Sequence, residues 1–84
     1  MKHKISIIGA GNLGLSLAKG LVNSGEFIPN QFHLSRRRIN KLSSFKAEGY
    51  EVTSDNIFAA KNATLVIICV LPQKINAVLE ELKT

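Results

Sequence analysis

Apolar positions change period several times along this chain, and each change marks an element. Ile5, Ile7 and Ile8 form a short β-branched run that empties into glycine, the pattern of a buried strand. Leu13, Leu17 and Leu21 then recur every four residues with Ala18 and Val22 beside them, a helical stripe that Ser24-Gly25 stops. Pro29-Asn30 opens the next connection, and Gln31 to Ser35 carries Phe32 and Leu34 as a second strand. From Arg37 to Glu48, Ile39, Leu42, Phe45 and Lys46 fall at helical spacing, and Gly49 closes that helix. Glu51 to Thr53 is a brief third strand, after which Ser54-Asp55-Asn56 resembles a helix N-cap for Ile57 to Lys61, ended by Asn62. Ala63 to Val70 is nearly continuous and rich in β-branched residues, as in a parallel strand covered on both faces. Pro72 stops it and opens a last helix with Ile75, Val78, Leu79 and Leu82 at i, i+3, i+4 and i+7.

Alternation of this kind predicts an α/β fold: a parallel sheet with helices on both faces, right-handed crossovers and strand order 3-2-1-4. Strand four then stands as a long, uncharged apolar edge, the place of a fifth strand in a complete doubly wound sheet. Self-association through Leu65 to Val70, or marginal stability, is the expectation. At 84 residues the chain is one small domain, shorter than a complete fold of this type, with no internal repeat or low-complexity linker.

The first strand leads directly into Ile8-Gly9-Ala10-Gly11-Asn12-Leu13-Gly14, a G-x-G-x-x-G turn that opens the first helix. In that context each glycine has a mechanical role in holding a dinucleotide. Gly9 turns the chain off the strand, Gly11 removes the β-carbon that would keep a pyrophosphate from the backbone, and Gly14 lets helix and sheet approach. The phosphates meet free N–H groups and the positive end of a helix dipole. The alternative is a plain strand-to-helix connection. The cofactor reading makes residues 1–84 the N-terminal part of a dinucleotide-binding domain, an incomplete Rossmann-like fold.

Ser35-Arg36-Arg37 follows the second strand, where such folds choose between the nicotinamide cofactors. An Asp or Glu there would accept hydrogen bonds from a ribose 2′-hydroxyl and repel a 2′-phosphate. Ser35 can hydrogen-bond that phosphate, and Arg36 or Arg37 can pair with it through forked contacts, so NADP(H) is favoured over NAD(H). Arg38 reads as a helix-surface residue.

A net charge of +5 raises the question of nucleic acid, but Arg36-Arg37-Arg38 is the single dense basic cluster and the five aromatics mostly fall on predicted core positions. No nucleic-acid partner is expected. No stretch approaches the roughly 20 apolar residues that span a membrane, and the run behind Met1-Lys2-His3-Lys4 is too short for a secretory signal. A cytoplasmic location follows by default. Cys69 is the single cysteine, lies in the apolar run Leu65 to Val70, and reads as core. His3 and His33 have no ligand-type residue at metal spacing, so no metal site is expected. No Ser-His-Asp set or paired carboxylate offers a catalytic side chain. A hydride-transfer domain needs none, because the cofactor carries the chemistry. A non-catalytic nucleotide-sensing module would share these features.

Ile7-Ile8-Gly9-Ala10-Gly11-Asn12-Leu13-Gly14, Leu17-Ala18-Lys19-Gly20-Leu21, Ser35-Arg36-Arg37, Ser54-Asp55-Asn56 and Val70-Leu71-Pro72-Gln73, in that order and spacing, resemble the N-terminal half of pyrroline-5-carboxylate reductases. The first motif is shared with 6-phosphogluconate and 3-hydroxyisobutyrate dehydrogenases and F420-dependent NADP reductases. The resemblance implies a cytosolic enzyme that reduces 1-pyrroline-5-carboxylate to L-proline with hydride from NAD(P)H. It places Ile8 through Leu13 along the pyrophosphate, Ser35 to Arg37 at the adenosine ribose and its phosphate, Asn56 on the adenosine side, and Cys69, Val70, Leu71 and Pro72 beneath the nicotinamide half. The family commonly has lysine where this chain has Leu71. Its substrate pocket and dimer interface lie in a C-terminal helical domain without counterpart here. The chain is therefore expected to bind cofactor without turnover, and to form a homo-oligomer through that domain or the strand-four edge.

Overall fold

A computed structural model describes residues 3–83; the start Met1-Lys2 and the terminal Thr84 lie outside the described residues. Strands and helices alternate as β1 (Ile5–Ile8), α1 (Asn12–Asn23), β2 (Phe32–Ser35), α2 (Ser43–Ala47), β3 (Glu51–Thr53), α3 (Asn56–Lys61), β4 (Leu65–Ile68) and α4 (Ile75–Leu82). Short 3-10 segments at Pro29–Gln31, Ile39–Leu42 and Pro72–Lys74 lead into β2, α2 and α4. The sheet has the order β3-β2-β1-β4 with every pair parallel, the Rossmann-like topology that the alternation predicts. Ile5 pairs with Phe32 on one side and Leu65 on the other, which makes β1 a central strand, buried along its whole length.

Successive strand residues point to opposite faces, and the two faces are filled differently. Ile5, Ile7, Phe32 and Leu34 meet Ala18 of α1, Leu42 and Tyr50 in the main core. Phe27, Phe32, Tyr50 and Phe45 continue it as a chain of edge-on and tilted ring contacts. On the other face Ser6 Oγ donates to the Ala59 carbonyl of α3 at 2.6 Å, and the His33 ring meets Phe58 edge-on at 5.4 Å. Asp55 caps α3 by accepting from the Phe58 N–H at 3.1 Å, one residue ahead of a helix that starts at Asn56.

Three features differ from the sequence pattern. The buried stripe of α1 runs through Gly14 and Ala18, flanked by half-buried Leu15, Leu21 and Val22, while Leu13 is 77% exposed and Leu17 38%. The cause is close approach: a β-carbon on Gly14 would lie 2.9 Å from Ile7 Cγ2, so the smallest residues face the sheet and the leucines splay outward. The helix expected from Arg37 begins instead as the 3-10 segment Ile39–Leu42 and becomes α-helical only over Ser43–Ala47. Ser43 and Ser44 are weak helix formers, so burial of Leu42 dominates the local geometry. The strand expected over Ala63 to Val70 is regular over Leu65–Ile68, and among the described residues no strand pairs with its outer side; Leu65 is 52% exposed.

Candidate cofactor site

The glycine turn hangs from the end of β2. Gly9 N–H and Ala10 N–H both donate to the Ser35 carbonyl, at 3.0 and 2.9 Å, and Gly11 N–H donates back to the Gly9 carbonyl at 2.7 Å. Gly9 has φ +77°, and a β-carbon there would lie 2.5 Å from Val70 Cγ1 and 3.0 Å from the Cys69 carbonyl oxygen, so backbone angle and neighbours both demand glycine. Gly14 is fixed by Ile7, with Cys69 Sγ 3.7 Å from the same β-carbon position. Gly11 is different. Its nearest neighbour would be the Gly9 carbonyl oxygen at 4.0 Å, and the residue lines an open cleft. Nothing inside the fold requires glycine there; a β-carbon would narrow the open cleft that the residue lines. Gly11 is also the N-cap of α1, with no side-chain cap and no acid in the first turn. The helix therefore presents its N–H groups and its positive end unneutralised.

The second wall comes from the same strand end. Ser35 is fully buried; its hydroxyl donates to Asn56 Oδ1 at 2.5 Å, and Asn56 Nδ2 donates to Glu81 Oε1 of α4 at 3.0 Å. The serine proton is thus used to orient Asn56, and its carbonyl to hold the turn. Arg36 continues the ladder by donating its N–H to the Thr53 carbonyl at 3.0 Å, and its Nη1 lies 3.4 Å from the Ala10 carbonyl oxygen.

Two clefts open at these carboxyl ends of the strands, the position where open α/β sheets bind ligands. One, of about 210 Å³, is lined by Gly9, Arg36, Arg37, Asn56, Val70, Lys74 and Val78. The other, of about 320 Å³, is lined by Gly9, Gly11, Arg36, Cys69, Val70, Leu71 and Lys74. No carboxylate lines either cleft. Of the residues singled out in the sequence, Gly9, Gly11, Arg36, Arg37, Asn56, Cys69, Val70 and Leu71 converge here. Ile8, Ala10 and Ser35 are fully buried, and Gly14 is buried between helix and sheet. Asn12 and Leu13 are exposed on the first turn of α1 and line neither of these two clefts, and Pro72 begins the 3-10 segment before α4. Sequence reasoning did not place Lys74 at the site, and it read Val78 only as part of the apolar stripe of the last helix. Their signal was a four-residue spacing at the start of a helix that leaves the carboxyl end of a strand. Among the described residues, no three His, Cys, Asp or Glu side chains group to hold a metal, and no helix is long and apolar enough to cross a membrane.

Comparison with known proteins gives this geometry a family. Pyrroline-5-carboxylate reductase 2 of Dictyostelium discoideum is 45% identical over 80 residues, covering 94% of this chain and 27% of that protein. The structure of a pyrroline-5-carboxylate reductase from Coxiella burnetii superposes with a TM-score of 0.88 at 36% identity, covering 99% of this chain and 31% of that one. The Plasmodium falciparum pyrroline carboxylate reductase with NADP bound shares the fold at TM-score 0.81 and 21% identity, covering 99% of this chain and 30% of that one. The chain thus spans less than a third of the length of these relatives. They bear out the resemblance carried by the motifs. Residues 4–84 match the model of the family described as NADP oxidoreductase, coenzyme F420-dependent, and the chain belongs to that family.

Proposed function

We propose that this chain is the N-terminal, NADP(H)-binding part of a reductase of the pyrroline-5-carboxylate type, which reduces 1-pyrroline-5-carboxylate to L-proline in the cytoplasm. The observation that carries the reading is the convergence of an open Gly11 cradle with Arg36 and Arg37 around clefts that no carboxylate lines. The cofactor, when bound, supplies the hydride. The chain's own residues bind and orient it. The amides at the start of α1 receive the diphosphate, the two arginines receive the ribose phosphate, and Cys69 to Leu71 border the opposite end. The acceptor pocket and the contacts of a homo-oligomer belong, in this proposal, to a C-terminal helical domain beyond these residues. Cofactor binding without proline formation is then the behaviour of the 84-residue chain.

Calorimetric titration with NADPH and NADH tests it. NADPH binds more tightly, and Arg36→Ala or Arg37→Ala removes the preference, each by about tenfold for a lost charge-assisted contact. Absence of binding by both cofactors refutes the reading.

A further inference from the structure

We propose that Lys74 is a third cation for the cofactor's ribose 2′-phosphate and sets the NADP(H) preference jointly with Arg36 and Arg37; the inference rests on the function proposed above. Lys74 ends the 3-10 segment that leads into α4, and it lines both clefts, as does Arg36. These two residues reach the site from different elements, Arg36 from the end of β2 and Lys74 from the start of α4. Lys74, Val78 and Glu81 recur at i, i+4 and i+7, so one face of α4 is turned to the site. Val78 gives the smaller cleft an apolar surface, and Glu81 accepts from Asn56 Nδ2 and so holds the amide that lines it.

Electrostatics name the class of ligand. Arg36, Arg37 and Lys74 border one cleft of about 210 Å³ with no carboxylate on its walls. The ion pairs seen among the described residues, Lys4 with Glu51 and Lys83 with Glu80, involve none of the three. Like charges gathered on the walls of one cleft repel one another, and a bound dianion converts that repulsion into attraction. The diphosphate already has the amides of the glycine turn and α1. Lys74 shares the smaller cleft with Arg37 and Asn56, and Gly11 is not part of that cleft. Lys74 borders the Gly11 cleft as well, but Arg37 and Asn56 line the smaller cleft and not that one, and it is their company that assigns the lysine to the ribose phosphate.

The test is titration of the chain and its Lys74→Gln and Lys74→Arg variants with NADPH and with NADH. For Lys74→Gln, NADPH affinity falls about tenfold and NADH affinity changes less than about twofold, the loss of one charge-assisted contact to the 2′-phosphate; Lys74→Arg retains the preference. Equal weakening toward both cofactors overturns the assignment, because it marks a diphosphate contact or a structural change. Unchanged NADPH affinity overturns it too. If Arg36→Ala abolishes the preference while Lys74→Gln does not, the inference falls and the proposed function stands. A wild-type chain that binds neither cofactor removes both.

Discussion

Three glycines in one turn answer to three different demands, and substitutions separate them. Gly11 has extended backbone angles, φ −86° and ψ −160°, and open space around its missing β-carbon. Threonine suits an N-cap as well as glycine does, so Gly11→Thr changes stability by no more than about 0.5 kcal/mol in denaturant melts while abolishing NADPH binding. Gly14→Ala forces a methyl group against Ile7 Cγ2 and costs about 1–3 kcal/mol. Loss of stability in Gly11→Thr, or binding retained by it, contradicts the cradle. The spacing of these glycines was legible in the sequence because their roles are backbone roles. Ser35 was legible as a position and not as a contact, since whether its hydroxyl met a ligand or Asn56 depended on a helix 21 residues away. Lys74 escaped notice for a similar reason, as nothing local marks a helix-start lysine that a crossover returns to the sheet edge.

Between elements, the β2–α3 contact carries a titration. His33 is buried against Phe58, and its Nδ1 has no hydrogen-bond partner among the described residues. Burial first, and the nearby Lys4 charge second, push its pKa below the usual 6.5. The unfolded chain therefore binds a proton that the folded one refuses. Stability from this group is fully present above about pH 6.5 and is lost as pH falls from there toward the lowered folded value. Urea midpoints measured between about pH 7.5 and pH 5.5 fall on acidification, and His33→Gln flattens that fall; parallel curves for the two proteins count against it. At this scale packing overrode periodicity twice. The α1 stripe turned so that Gly14 and Ala18 met the sheet, and the second helix shortened around buried Leu42. Periodicity locates a helix better than it fixes which face is inward, because close approach selects small residues over the most apolar ones.

Over the whole molecule, the strand order was readable because alternating strands and helices with right-handed crossovers leave few topologies. Among the described residues the same order leaves β4 unpaired on one side, with Leu65 half-exposed and no charge in the strand. An apolar edge of that kind recruits another strand. The expected outcome in sedimentation velocity is concentration-dependent association of the chain that Leu65→Lys weakens; a strictly monomeric wild-type chain contradicts this.

The double acceptance by the Ser35 carbonyl reaches beyond the turn it holds. The peptide that anchors Gly9 and Ala10 is bonded directly to Arg36, so the diphosphate cradle and the cationic end share a single rivet. Their separation is set by covalent geometry and two well-formed hydrogen bonds, not by the drift of one loop relative to another. The site therefore works as a gauge of fixed span. In the proposed function it reads the spacing between a dinucleotide's diphosphate and its ribose 2′-phosphate, and a ligand that carries one of these groups alone forfeits the gain that comes from having both jaws already in place.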